Sequence, residues 1–252
     1  MTIRSQPLKV ATGEQQIAAT VVGPRNTVPG VLLVHGWDGS QQQYLALARE
    51  VAALDCVCLT FDLRGHGLNI ADRDRVTRDD NLRDVLAAYD MLTSLTAVDP
   101  ERVALVGSSY GGYLASLATL ERPVRWLGLR APALYRDAEW EVPKNRLDKA
   151  DLADYRSTPV GPKENRALAA CEAFTGDFLV VESEFDKIVP HPVIESYRAA
   201  ASQARTNTYR LLEGTDHGLS TPYGRQQYGH VLLDWLHSVL RTPTKTGEAP
   251  AA

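Results

Sequence analysis

The chain has 252 residues, 44% of them hydrophobic and 23% charged, with a formal net charge of −4. This composition is globular, and a chain of this length buries roughly 75% of its unfolded surface, which excludes disordered and fibrous classes. No basic block tracks a phosphate backbone and no run reaches the ~18 apolar residues of a membrane span, so neither nucleic acid nor membrane is an expected partner.

The first residues, MTIRSQPLKVATGEQQ, lack the apolar segment of a secretory signal, which makes a soluble, cytoplasmic protein the expectation. Alternation at 6–12 and 15–22, broken at Gly13–Glu14, predicts two strands joined as a hairpin. The apolar run 31–34 reads as a strand buried on both faces, and 42–53 has helical spacing through Leu45, Ala48 and Ala52. A strand is expected at 57–61. Cys56 and Cys58, two apart at its start, share a face and are poorly placed to bridge; with Cys171 they make an odd count without a C-x-x-C pair, so reduced thiols are expected.

Further along, 79–95 is helical, 102–106 a buried strand, 110–120 a helix and 124–129 a strand. The rhythm then breaks. Residues 131–177 hold short helical pieces interrupted by Pro132, Pro143, Pro159 and Pro162, and are expected to form a small helical cap inserted over a site. A strand at 178–182, a helix at 192–204, a strand at 208–212 and a helix at 223–240 follow. The tail 241–252 has no periodicity and is expected to fray. Strands alternating with helices predict a mostly parallel sheet covered on both faces, in a single α/β domain over 1–252.

Gly107-Ser108-Ser109-Tyr110-Gly111 fits G-x-S-x-G. With Gly and Ser each near 7% of residues, about 0.1 such match arises by chance in a chain this long, so the motif alone is weak. Its context is stronger: it follows an apolar strand and opens a helix, the setting in which a strained turn exposes a nucleophilic serine. A serine nucleophile needs a base and an orienting acid, in the chain order Ser, Asp, His for this turn. His217 lies just after the last predicted strand and Asp186 just after the preceding one, both beyond carboxyl ends of strands, where ligands bind in open α/β sheets.

Rivals exist for each role. Ser108 is off the centre of the motif, Asp216 adjoins His217 too closely to face its ring, and Glu184 is a weaker candidate than Asp186. His230 and His237 fall in the last helix, and His191 follows Pro190 in the loop after Asp186. For the oxyanion, two backbone N–H donors are required. Tyr110 N–H, next to the nucleophile, and Trp37 N–H, in His35-Gly36-Trp37-Asp38-Gly39, are the candidates.

Taken together these residues make the chain similar to the α/β-hydrolases. His35-Gly36 resembles the family's oxyanion loop, Asp62-Leu63-Arg64-Gly65-His66-Gly67 its turn after the next strand, and Asp186-Lys187-Ile188-Val189-Pro190 and Asp216-His217-Gly218 its acid and histidine loops. Ser109-Tyr110-Gly111-Gly112-Tyr113 resembles the elbow of prolyl-oligopeptidase-like and acyl-peptidase-like catalytic domains, and small bacterial esterases share the apparatus. Leu68-Asn69 departs from relatives that carry a serine after the turn glycine. The resemblance implies a structural role for His66 and a serine hydrolase without cofactor or metal, acting on a small-molecule ester as a carboxylesterase does. A peptidase or aminoacyl hydrolase, a thioesterase, and a catalytically silent binding module remain alternatives. The charge density of 131–177 speaks against a lipid-activated lid, while Tyr135, Trp140 and Phe174 are aromatics available either to a pocket or to packing. The oligomeric state is left open.

Overall fold

The computed structural model describes residues 3–24 and 26–241. Among these described residues eight strands form one sheet: β1 (Arg4–Thr12), β2 (Gln15–Gly23), β3 (Val28–Val34), β4 (Val57–Phe61), β5 (Val98–Ser108), β6 (Trp126–Arg130), β7 (Asp177–Phe185) and β8 (Thr206–Asp216). Their order is β1-β2-β4-β3-β5-β6-β7-β8. Only the β1/β2 and β2/β4 pairings are antiparallel. The first pair is the expected hairpin, turning at Gly13 with φ 59°.

The α-helices are α1 (Leu45–Ala52), α2 (Arg78–Ser94), α3 (Tyr110–Ala118), α4 (Lys149–Tyr155), α5 (Arg166–Ala173), α6 (His191–Ala200) and α7 (Pro222–Leu240). Every residue of β3 and β4 is buried, because helices cover both faces. Side chains alternate accordingly. Leu32, Leu59 and Leu105 pack with residues of α2, α3 and α6 such as Val85, Leu114 and Ile194, while Val31, Cys58 and Ala104 pack with residues of α1 and α7 such as Val51, Leu232 and Leu236. All three cysteines are free and buried, and burial pushes the Cys56 and Cys171 thiols up to about 12. They are inert at neutral pH for that reason. Among the described residues no helix is long and apolar enough to cross a membrane.

Element centres fall where the sequence places them, and the ends are decided by contacts. Residues 41–44, partly included in the expected helix 42–53, form a 3-10 turn before α1. The helix expected over 192–204 stops at Ala200, where the Asn207 amide donates to the carbonyls of Arg198 (2.8 Å) and Ala201 (3.3 Å). α2 begins with a reciprocal cap: Thr77 Oγ1 accepts from Asp80 N–H at 3.0 Å and Asp80 Oδ2 accepts from Thr77 N–H at 3.0 Å. Thr77→Ala is expected to cost about 1 kcal/mol, read as a lower urea midpoint at unchanged m-value.

Residues 131–177 pack back onto the α2–α3 side. Arg78, at the start of α2 and 1% exposed, donates to the carbonyls of Arg136 and Ala138. Lys144 N–H donates to Val76 O at 3.0 Å, and Trp140 Nε1–H to Asp79 Oδ1 at 3.1 Å. The Asn165 amide reaches Tyr135 O at 2.7 Å while its oxygen caps α5. The tail expected at 241–252 lies outside the described residues beyond Arg241.

Candidate active site

β5 delivers Ser109 at its carboxyl end and α3 starts on the next residue. Ser109 has φ 53° and ψ −117°, a backbone state costly for a residue with a Cβ, imposed here by the turn from strand to helix. Two glycines make the turn possible. A Cβ on Gly107 would lie 2.3 Å from Gly111 O, and one on Gly111 would lie 2.4 Å from the carbonyl oxygens of both His35 and Val34. Ser109 N–H donates to Arg130 O (2.8 Å) and its carbonyl accepts from Ala133 N–H (3.0 Å), so both β6 and the chain after it hold the turn.

Beyond β8, His217 turns its ring toward Ser109, with Nε2 2.9 Å from Ser109 Oγ. Its Nδ1 lies 2.6 Å from Asp186 Oδ2. The other carboxylate oxygen, Oδ1, accepts from the backbone N–H groups of Ile188 (2.9 Å) and Val189 (2.8 Å), which fixes the carboxylate plane. The Asp186 side chain is 3% exposed. An ionised carboxylate accepts only, so Nδ1 carries the proton and Nε2 presents its lone pair to the serine hydroxyl. The structure therefore brings Ser109, His217 and Asp186 into one chain of hydrogen bonds, in the order expected from the sequence.

The rivals are engaged elsewhere. Asp216 accepts from Ser220 N–H and Oγ–H, which hold its carboxyl below the usual range. Glu184 accepts from Gly214 N–H at 2.7 Å. His191 pairs with Glu182, which raises its pKa. Ser108 Oγ lies on the opposite face of β5 from Leu105, 3.3 Å from Arg130 Nε.

The loop after β3 is built around two histidines. His35 Nε2 accepts from Leu63 N–H at 3.1 Å, so Nδ1 carries the proton and donates to Gly36 O at 2.7 Å. Burial keeps His35 neutral by lowering its pKa, and burial with His35 nearby takes His66 down to about 3. The His66 ring meets Trp37 edge-on at 4.4 Å, a packing role. Gly36 O also accepts from Gly39 N–H at 3.0 Å. With its carbonyl tied inside the loop, the trans peptide points Trp37 N–H the other way. A Cβ on Gly36 would lie 3.3 Å from Ser109 Cβ, so this loop passes directly beside the serine.

A cavity of about 770 Å³ opens beside Ser109 and His217, between the Trp37 loop, α1 and the start of α7. That volume suits a small organic ligand. Residues 31–226 match the alpha/beta hydrolase family. The chain belongs to that family. An uncharacterized protein of Mycobacterium tuberculosis, Rv2307c, is 29% identical over 191 residues, covering 75% of this chain and 63% of its own length, so the match spans less than two thirds of that relative. Solved structures that share the fold include bacterial heroin esterase (TM-score 0.68, 20% identity, 95% of this chain and 85% of that one) and Pyrococcus horikoshii acylaminoacyl peptidase (TM-score 0.70, 16% identity, 98% and 43%).

In this chain the segment 131–177 supplies none of the residues lining the cavity beside the serine. Tyr135 and Phe174 are buried in the core, and Trp140 is tied to α2. The segment touches the site through Ala133, whose N–H holds the Ser109 carbonyl, and through Lys144, whose ammonium lies 4.2 Å from the Trp37 ring and 5.5 Å from those of Tyr110 and Tyr135. Sequence reasoning missed Lys144, which sits in a proline-broken stretch without periodicity. It also missed Arg130, although a charged residue ending the apolar run Trp126-Leu127-Gly128-Leu129 was a legible signal.

Burial, reinforced by Arg156, pulls the Lys144 pKa down to about 8. The unfolded chain therefore holds this proton more tightly, and stability rises with pH between about 8 and the ordinary lysine value near 10.4. Below 8 the full penalty, roughly 3 kcal/mol, is present, and the ring contacts give back about 1–2. Lys144→Met is thus expected to stabilise the protein by ~1–2 kcal/mol at pH 7. The gain should shrink as pH passes from 8 to 10, measured by thermal melts; a gain that grows over that range would contradict the assignment.

Proposed function

We propose that this chain is a serine hydrolase that cleaves small carboxylic esters through an acyl-enzyme. The observation that carries the reading is the paired contact of His217, 2.9 Å to Ser109 Oγ on one side and 2.6 Å to Asp186 on the other. In this mechanism Ser109 Oγ attacks the ester carbonyl as His217 Nε2 takes its proton, and Asp186 stabilises the imidazolium that forms. The backbone N–H groups of Trp37 and Tyr110 receive the oxyanion. His217 then protonates the leaving alcohol. Water, deprotonated by the same nitrogen, attacks the acyl carbon, and collapse of the second tetrahedral intermediate releases the acid and returns the proton to Ser109.

The test is kcat/KM on p-nitrophenyl esters of increasing chain length, beside aminoacyl anilides, with Ser109→Ala as the blank. Ester turnover that peaks at short chains and vanishes in the blank supports a carboxylesterase. Preference for the anilides would move the protein to the peptidases, the class to which its Ser-Tyr-Gly-Gly-Tyr elbow is similar, and faster turnover of acyl thioesters would make it a thioesterase. Failure of a fluorophosphonate to label Ser109 would sink the hydrolase reading altogether.

A further inference from the structure

Arg130 ends β6 on the same face of the sheet as Trp126, toward α7. Its side chain is buried, 7% exposed, and forms no ion pair among the described residues. Its hydrogen bonds go to neutral acceptors: Nε to Ser108 Oγ at 3.3 Å and Nη1 to the His217 carbonyl at 2.8 Å. Nη2 has no partner among the described residues. The guanidinium thus sits between the residue before the serine and the backbone of the histidine, and it lines the cavity that both share.

A buried charge without a counter-ion is costly, and it persists where something compensates it. Among the described residues two other arginines are buried without ion pairs, and both have carbonyl and ring partners, although Arg78 Nε is itself unpartnered. Arg78 is surrounded by the carbonyls of Arg136 and Ala138 and by the rings of Tyr135 and Trp140, and Arg156 by the carbonyls of Leu134 and Ile188 and the Tyr135 ring. Neither lines the cavity at Ser109. Arg130 differs in lining that cavity with Nη2 unpartnered among the described residues, and the Tyr228 ring is 5.8 Å away. The acidic side chains on the same cavity do not neutralise it: Asp38 is paired with Arg73, and Glu50 is exposed on α1. Asp216, whose carboxylate feels the charge of Arg130, spends its own oxygens on Ser220.

We infer that Arg130 is an anion anchor and that the substrates of this hydrolase are esters bearing a carboxylate, held by the guanidinium while Ser109 attacks the ester carbonyl. The inference rests on the serine-hydrolase reading above and narrows its substrate class. Planar guanidinium and planar carboxylate match in a two-point hydrogen bond, and in a partly desolvated cavity such a contact discriminates strongly against a neutral isostere.

Two substrate pairs place the charge on either side of the scissile bond. Mono-p-nitrophenyl glutarate against p-nitrophenyl hexanoate tests the acyl side, and 4-carboxyphenyl butyrate against 4-carbamoylphenyl butyrate tests the alcohol side. In one of the pairs the anionic ester is expected to exceed the neutral one in kcat/KM by about ten- to a hundredfold. In Arg130→Met both rates should fall, because the His217 carbonyl loses its donor, and the anionic-to-neutral ratio should fall to one or below. Arg130→Lys should keep part of the preference.

A wild-type ratio near one in both pairs overturns the inference while leaving the hydrolase reading intact. So does a ratio unchanged in Arg130→Met, which would make Arg130 solely a brace for His217. Glutarate should also slow fluorophosphonate labelling of wild-type Ser109 where pentanamide at the same concentration does not, a readout independent of turnover. Labelling without glutarate protection overturns the anchor alone, and absence of labelling overturns both readings.

Discussion

Ser109→Ala is expected to lower kcat on the best ester by about 10⁶, and Asp186→Asn by about 10⁴. The two numbers differ because the side chains do different things. Removing Oγ removes the covalent route, whereas Asp186→Asn keeps a partner near His217 but allows the amide to donate to Nδ1 and so favour the wrong tautomer. Asp186 Oδ1 holds two backbone N–H groups and Oδ2 holds the imidazole, so both oxygens of this 3% exposed carboxylate are engaged by neighbours. Steady-state kinetics with active-site titration decides the matter. Near-full turnover by Ser109→Ala would remove the serine from the mechanism, and an Asp186→Asn enzyme as fast as Glu184→Gln would return the acid role to its rival.

Gly111→Ala should damage both the fold and the site through a single added methyl. Its Cβ would meet the carbonyl oxygens of His35 and Val34 at 2.4 Å, and both are backbone atoms of β3 and the loop that follows it. No rotamer change relieves such a contact, so α3 must move off β3. Overpacking of this kind costs about 3 kcal/mol, equivalent to a fall in Tm of roughly 6–12 °C for a domain of this size. Activity should fall further than stability, since the displaced loop carries Trp37. Gly161→Ala is the comparison: its nearest neighbour would be Glu164 Oε2 at 3.4 Å, and a change within about 0.5 kcal/mol is expected. Equal urea midpoints for the two variants would refute the steric account of the elbow.

The strands and helices were legible at their centres because their signals are local. β4 carries the near-continuous apolar run and α7 the helical stripe that their burial demands, and their predicted spans nearly coincide with the observed ones. Ends were less legible because distant residues set them. β5 was expected over 102–106 and runs from Val98 to Ser108, since β3 pairs with it on both sides of the irregularity at Pro29/Gly30. The 131–177 segment gave no period to follow. Its course is fixed by Arg78, Asp79 and Val76, residues more than fifty positions upstream that donate to it or accept from it.

By itself the sequence determined the α/β alternation, the elbow and the three residues that converge beside the cavity. Each depends on short-range chemistry: periodicity decides which faces are buried, glycine decides where strand and helix can touch, and position just after a strand places a side chain at the sheet's carboxyl edge. The tertiary structure alone decided which walls enclose the cavity and what charge they carry. Arg130 belongs to an apolar strand and Lys144 to a single 3-10 turn, so neither has a local pattern to report its surroundings. Arg130 faces the cavity because β6 alternates, α7 covers that face, and the His217 carbonyl, 87 residues away in sequence, receives one of its N–H groups. Such convergence follows from chain packing in three dimensions, and it sets the electrostatics that a substrate meets.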